Sequence, residues 1–258
     1  MAKKVVISQS TVSAGQLEDF FRMIKDGTIG GEELKAFLAN PHKFSQGGLT
    51  IVRAINILGQ AKVITAEQAA KSWGLEASKD APIHYSEETL RKCAEESKQG
   101  KADWRLVYIN GLSLREQREK RGTSQSEQPC FYNNDWWLKP TEDSWATKKM
   151  EAGYYLINVL GQFGSMSWNK QEKAISDLGR EYERCHEAVF SEAILTIYMV
   201  NNGERIAGNW WHWGVSADSD GNRVNVGYFH ARGLRVNDDW GDSSDGSLRV
   251  SVARKFDH

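Results

Sequence analysis

Cysteine, proline, long apolar runs and an excess of charge are all scarce in this sequence, and each scarcity removes a class of protein. Three cysteines, Cys93, Cys130 and Cys185, occur in 258 residues. Their odd number and wide spacing argue against a disulfide framework or a zinc knuckle, so they read as free thiols. No stretch approaches the roughly 20 apolar residues that span a bilayer. The first fifteen residues carry two lysines but no apolar core of a secretory signal. A cytoplasmic or virion-associated protein, without membrane insertion, is the expectation. Lys and Arg (33) nearly balance Asp and Glu (34), so no global field would steer the chain to nucleic acid or anionic lipid. Nucleic acid is not an expected partner.

What is abundant is tryptophan. Of ten, eight lie at or after position 136, whereas all four prolines lie at or before position 140. The character of the chain therefore changes near residue 130. Trp suits both dense cores and binding surfaces, because it combines a large apolar area with one N–H donor.

The first hundred residues read as helical. Leu17, Phe20, Phe21 and Ile24 fall at helical spacing, and Leu34, Phe37 and Leu38 repeat the pattern over 32–38 before Pro41 stops it. Further helices are expected within 49–74, where Thr65 and Gln68 match a capping box, and over 86–98. Trp104 to Asn110 has strand character. The charged run 114–122 reads as a solvated helix or loop rather than a nucleic-acid patch. A strand is expected over 152–159, a helix over 169–178 entered from Ser167, and the longest helix over 183–200, stopped by Asn201-Asn202-Gly203.

The last fifty residues differ again. Glycines recur at 208, 214, 221, 227, 233, 241 and 246, and nineteen of the 32 residues from Ser216 to Ser247 are Asn, Asp, Ser or Gly. Short alternating runs lie between them: Val224-Asn-Val226, Leu234-Arg-Val236 and Leu248 to Arg254. A meander of short antiparallel strands, each with one apolar and one polar face, is the expectation.

Motifs for catalysis are weak. His186-Glu187 begins like a zinc-protease helix, but position 190 is Phe, so the second ligand is missing. Cys185 and His186, as adjacent helical residues, would point about 100° apart and cannot act as nucleophile and base. Asp218, Asp220 and Asn222 look like the start of a calcium loop, yet the glycine comes at the fourth position (Gly221) instead of the sixth and Phe229 stands at the twelfth, where an EF-hand has Glu. No catalytic residue, metal ligand or cofactor is assigned, and the chain is not expected to be an enzyme.

Gly208-Asn-Trp-Trp-His-Trp-Gly-Val-Ser216, Val224 to Phe229, Gly233-Leu-Arg-Val236 and Leu248-Arg-Val-Ser-Val-Ala-Arg254 resemble the end of a C-type lectin-like fold. More narrowly, they resemble the variable proteins of diversity-generating retroelements, found in phages, viruses and small-genome prokaryotes. The likeness is specific over 205–256 and loose before 130. It implies an α+β protein: a helical N-terminal region, 1–100, and a C-type lectin-like domain, 101–258, ending in short antiparallel strands with a variable region at about 216–247. Formylglycine-generating enzymes share this architecture, but their copper chemistry needs a C-terminal cysteine pair and no cysteine follows Cys185.

The resemblance also implies which residues contact ligand. Diversification acts at adenines, and an Asn codon mutated there yields Ser, Asp, Tyr, Gly, His or Arg. Asn222, Asn225, His230, Arg232, Arg235, Asn237, Asp238, Asp239, Asp242, Ser243, Ser244, Asp245 and Ser247 fit that menu, and Tyr228 and Phe229 would be aromatic anchors among them, with at least one of the two in the core. Strand alternation would turn Asn225 and Arg235 away from the core that their apolar neighbours anchor. Trp210, Trp211, Trp213 and Trp240, with the valines and leucines, would form the packed support. The implied function is the binding of an unknown protein or surface ligand by interchangeable polar residues. The alternative is a structural or regulatory protein whose N-terminal helices dock a partner.

Overall fold

A computed structural model describes residues 14–27, 30, 31, 35, 49–78 and 81–257. The chain divides into two compact units, Met1–Gly48 and Leu49–His258. In the first, helix α1 spans Ala14–Lys25 and holds the apolar spacing from Leu17 to Ile24. Of the second helix expected there, over 32–38, all but Lys35, which is helical, lies outside the described residues. The helices after Leu49 belong to the same unit as the sheet.

The larger unit is mixed α+β around an eight-stranded sheet. In chain order it contains α2 (Ile51–Leu58), β1 (Val63–Ile64), α3 (Ala66–Trp73), α4 (Glu87–Lys98), β2 (Trp104–Ile109), α5 (Leu114–Arg121) and α6 (Asp143–Ala146). There follow β3 (Gly153–Gln162), α7 (Trp168–Leu178), β4 (Tyr182–Arg184), α8 (Glu187–Val200), β5 (Trp211–Ala217), β6 (Arg223–His230), β7 (Gly233–Asp239) and β8 (Leu248–Arg254). The strand order is β1-β2-β3-β8-β5-β6-β7, with β4 also pairing β8.

Local chemistry sets several of these boundaries. Thr65 and Gln68 form the expected capping box of α3, and Ser113 with Glu116 forms another that turns the charged run into α5. Ser167 precedes α7 without a side-chain cap bond. The longest helix starts later than its apolar pattern suggests. Tyr182–Arg184 pairs with β8 as strand β4, and His186 caps α8 through Nδ1, which accepts the Ala188 N–H at 3.2 Å. Asn202 and Gly203, both at positive φ, end α8 as expected.

The C-terminal strands depart from a simple meander. β5, β6 and β7 are antiparallel neighbours, with His212 opposite Val226 and Val226 opposite Val236. β8 does not pair with β7. It crosses back to the centre of the sheet, antiparallel to β3 and β4 and parallel to β5. A strand flanked on both edges and packed on both faces has no solvent side, and six of its seven residues are buried. Helix α8 packs against β5 and β6, and its face is buried from Glu187 to Ile197. Val224, Val226, Leu234 and Val236 are 0% exposed. Each such side chain contributes about 1.5–3 kcal/mol by leaving water, and all four belong to the one core that also holds β2, β3 and α8.

Candidate ligand-binding surface

The β6–β7 hairpin carries most of the residues singled out above. His230 pairs with Gly233, closing a two-residue turn of Ala231 and Arg232. Gly233 has φ 104° and a Cβ there would stand 2.5 Å from the Phe131 carbonyl carbon, so the turn tolerates only glycine at this point. Along β7 the pleat then alternates: Leu234 and Val236 are buried, Arg235 and Asp239 are half-buried, and Asn237 is exposed. This is the alternation of buried apolar and more accessible polar side chains expected of β7.

One end of the hairpin is basic. Arg232 is exposed at the turn, and both Arg232 and Arg235 lie over the ring of Tyr132, at 5.8 and 4.3 Å. Arg205 donates to the His230 carbonyl (2.8 Å) and to Gln128 Oε1 (3.1 Å). Burial, then the guanidiniums of Arg235, Arg232 and Arg205, hold the His230 imidazole below its usual range. Tyr228, at φ 43°, rests its ring 4.8 Å from that of Trp211.

The other end is acidic. Asp218 Oδ1 accepts the N–H groups of Asp220 and Asn222, at 2.9 and 2.8 Å, which occupies that oxygen in shaping the β5–β6 turn. Asn222 Nδ2 donates to Asp238 Oδ2 at 3.0 Å. Burial and the nearby Asp218 carboxylate raise the Asp238 pKa. In the β7–β8 connection, Asp239 accepts the Trp240 N–H (2.9 Å) and Asp245 accepts both donors of Ser247. Asp242, Ser244 and Asp245 are exposed there, and Ser243 and Ser247 are half-buried.

Two expectations are corrected. Asn225 is 1% exposed, not turned to solvent. It stands in a row with Trp213 and Asn237 across three strands. Trp168 ties helix α7 and the β7–β8 connection to β5, through Nε1 to Gly214 O (2.9 Å) and Gly241 O to its N–H (2.8 Å). Asn225 is enclosed on β6, and its two side-chain amide atoms have no hydrogen-bond partner among the described residues. The second correction is Trp240. Expected in the support, it is 75% exposed, because it follows the last paired residue of β7 and has no strand beside it. Trp210 and Trp213 are buried as the support requires, and Trp211 is half-buried.

No family model, curated protein or solved structure matches the chain. The surface must be read from its own chemistry. Tyr132 and Arg205 belong to it, yet nothing in their sequence context announces them. Tyr132 arrives because the segment after α5 runs along β7: Tyr132 N–H donates to Leu234 O (2.7 Å), and Asn134 Nδ2 to Val236 O (2.8 Å); Arg205 arrives from the loop after α8 through its bond to His230 O.

The buried ionisable groups are structural. His212 accepts the Ser251 N–H at Nδ1 (3.0 Å) and meets the Cys185 carbonyl at Nε2 (2.8 Å), which fixes a neutral tautomer with the proton on Nε2. Burial, then Arg184, pushes its pKa down to about 3. Burial drives the Cys185 thiol well above its ordinary range. Glu187 Oε2 accepts the Val215 N–H at 2.9 Å, and a Cβ on Gly214 would strike that carboxylate. Glu192 accepts from the backbone of Asn110 and Leu112 and from Asn110 Nδ2, holding the loop after β2.

Proposed function

We propose that this chain is a ligand-binding variable protein of a diversity-generating retroelement, built on a C-type lectin-like scaffold. The observation that carries the reading is the pleat of β7. Leu234 and Val236 are fully buried while the side chains between and after them, Arg235 and Asn237, reach the surface. Residues such as Arg232, Asn237, Asp242 and Ser244 can be exchanged there at little structural cost, since exposed substitutions usually change stability by less than about 0.5 kcal/mol. The placement of the closing strand β8 at the sheet centre, beside β3, is consistent with the lectin-like scaffold.

In this reading Asn225 belongs to the support and Trp240 to the contact surface. A rigid aromatic among small polar residues is the division that antibody paratopes use. The test is to sequence the 3′ coding end and its flank across a population of related genomes. The reading requires a near-copy of codons 216–247, a neighbouring reverse transcriptase gene, and variation concentrated at adenine-derived positions of exposed residues. Variation spread evenly over all three codon positions and over buried and exposed residues alike overturns it.

A further inference from the structure

We infer that the basic end of this surface is a docking site for carboxylate side chains of a protein partner, held between Arg232 and Arg235 at the β6–β7 turn. The inference rests on the proposed binding surface and names the ligand chemistry of this particular chain. Arg232 and Arg235 spend their guanidinium faces on one neutral ring, Tyr132; Arg235 Nε is buried, and the terminal nitrogens of Arg235 make no hydrogen bond among the described residues. Arg205 beside them is engaged by neutral groups, the oxygens His230 O and Gln128 Oε1 and the rings of Tyr198 and Phe229. Three guanidiniums thus converge around His230. An aromatic face beneath a guanidinium leaves the edge formed by its two terminal nitrogens free, and that edge donates two parallel bonds to a carboxylate.

Phosphate-bearing nucleic acid would satisfy the same donors, but the rest of the face opposes it. Arg235 and Asp239 lie on one side of β7, about 13 Å apart at the rise of an extended strand. Asp238, Asp242 and Asp245 continue the negative end. A polyanion laid along the strand would meet repulsion within one or two Debye lengths of its anchor. A protein surface can place acids at the arginines and bases or apolar groups near the aspartates and the exposed Trp240.

The test uses the full chain and a fluorescein-labelled hexaglutamate peptide, with a single-stranded oligothymidylate of similar charge as comparator, in low-salt anisotropy titrations. Hexaglutamate is expected to bind, to weaken at least tenfold on the double change Arg232→Glu/Arg235→Glu, and to weaken about threefold on Arg232→Gln. The single change is at the exposed turn, so it reads the site even if the double variant folds poorly. Absence of hexaglutamate binding, or binding indifferent to Arg232→Gln, overturns the inference. So does tighter binding of the oligonucleotide that the same changes abolish. Neither result touches the proposed diversification, which is read from genomes and not from this chain's charges.

Discussion

Asn225 and Asn237 stand opposite each other across β6 and β7, yet the first is 1% exposed and the second is open to solvent. One residue type, in one cross-strand row, has two fates. The difference arises from the neighbours: β6 is an inner strand beside Trp213, whereas β7 is the last strand in the order.

That contrast predicts unequal effects of the same substitution. Asn225→Asp places a carboxylate where no partner is available and should cost about 3 kcal/mol or more at neutral pH. Asn237→Asp should cost under about 1 kcal/mol at physiological salt, where its acidic neighbours are screened. Urea unfolding of the two variants measures both. Equal losses contradict the burial difference.

The tryptophans should separate in the same way. Trp213 is fully buried and Trp240 is 75% exposed. Trp213→Ala should lose about 3–5 kcal/mol, and Trp240→Ala about 0.5 kcal/mol or less. Iodide quenching provides an independent check: Trp240→Phe should remove the most accessible part of the emission. Unchanged quenching would mean that the indole is covered.

Glu192 predicts a pH dependence. Burial raises its folded pKa to about 7, against the hydrogen bonds from residues 110–112. The unfolded carboxyl titrates near 4.5. Between these values the folded state holds the proton that the unfolded state has released. The stabilisation from this group is therefore complete below about pH 4.5 and is lost as pH rises through about 7, a change on the order of 3 kcal/mol. Glu192→Gln should flatten that part of the stability profile, and an identical slope in the variant would refute the assignment.

Much of the scaffold was legible because its signals are local. The capping box at Thr65, the strand from Trp104, the stop at Asn202-Gly203 and the pleat of Leu234 and Val236 each need only neighbouring residues to be read. What was not legible depends on partners far along the chain. Alternation alone cannot tell an inner strand from an outer one, so Asn225 looked like Asn237. Strand β4 was hidden in an apolar helical pattern because its pairing with Val252 and Arg254 is distant. Tyr132 and Arg205 joined the surface only through bonds to β7 and to His230. Trp240 was misjudged because tryptophan composition favours the core, while its exposure is set by the chain leaving the sheet after Asp239.

The most direct test of an exchangeable surface on a fixed platform is the unfolding free energy of one variant changed at four exposed positions together: Arg232→Ser, Asn237→Tyr, Asp242→Asn and Ser244→Asn. Four independent surface changes sum to about 2 kcal/mol at most, so the variant should unfold cooperatively within that margin of the parent. A loss beyond about 4 kcal/mol, or a broadened transition, would contradict the platform, because these side chains would then be part of what holds the sheet together.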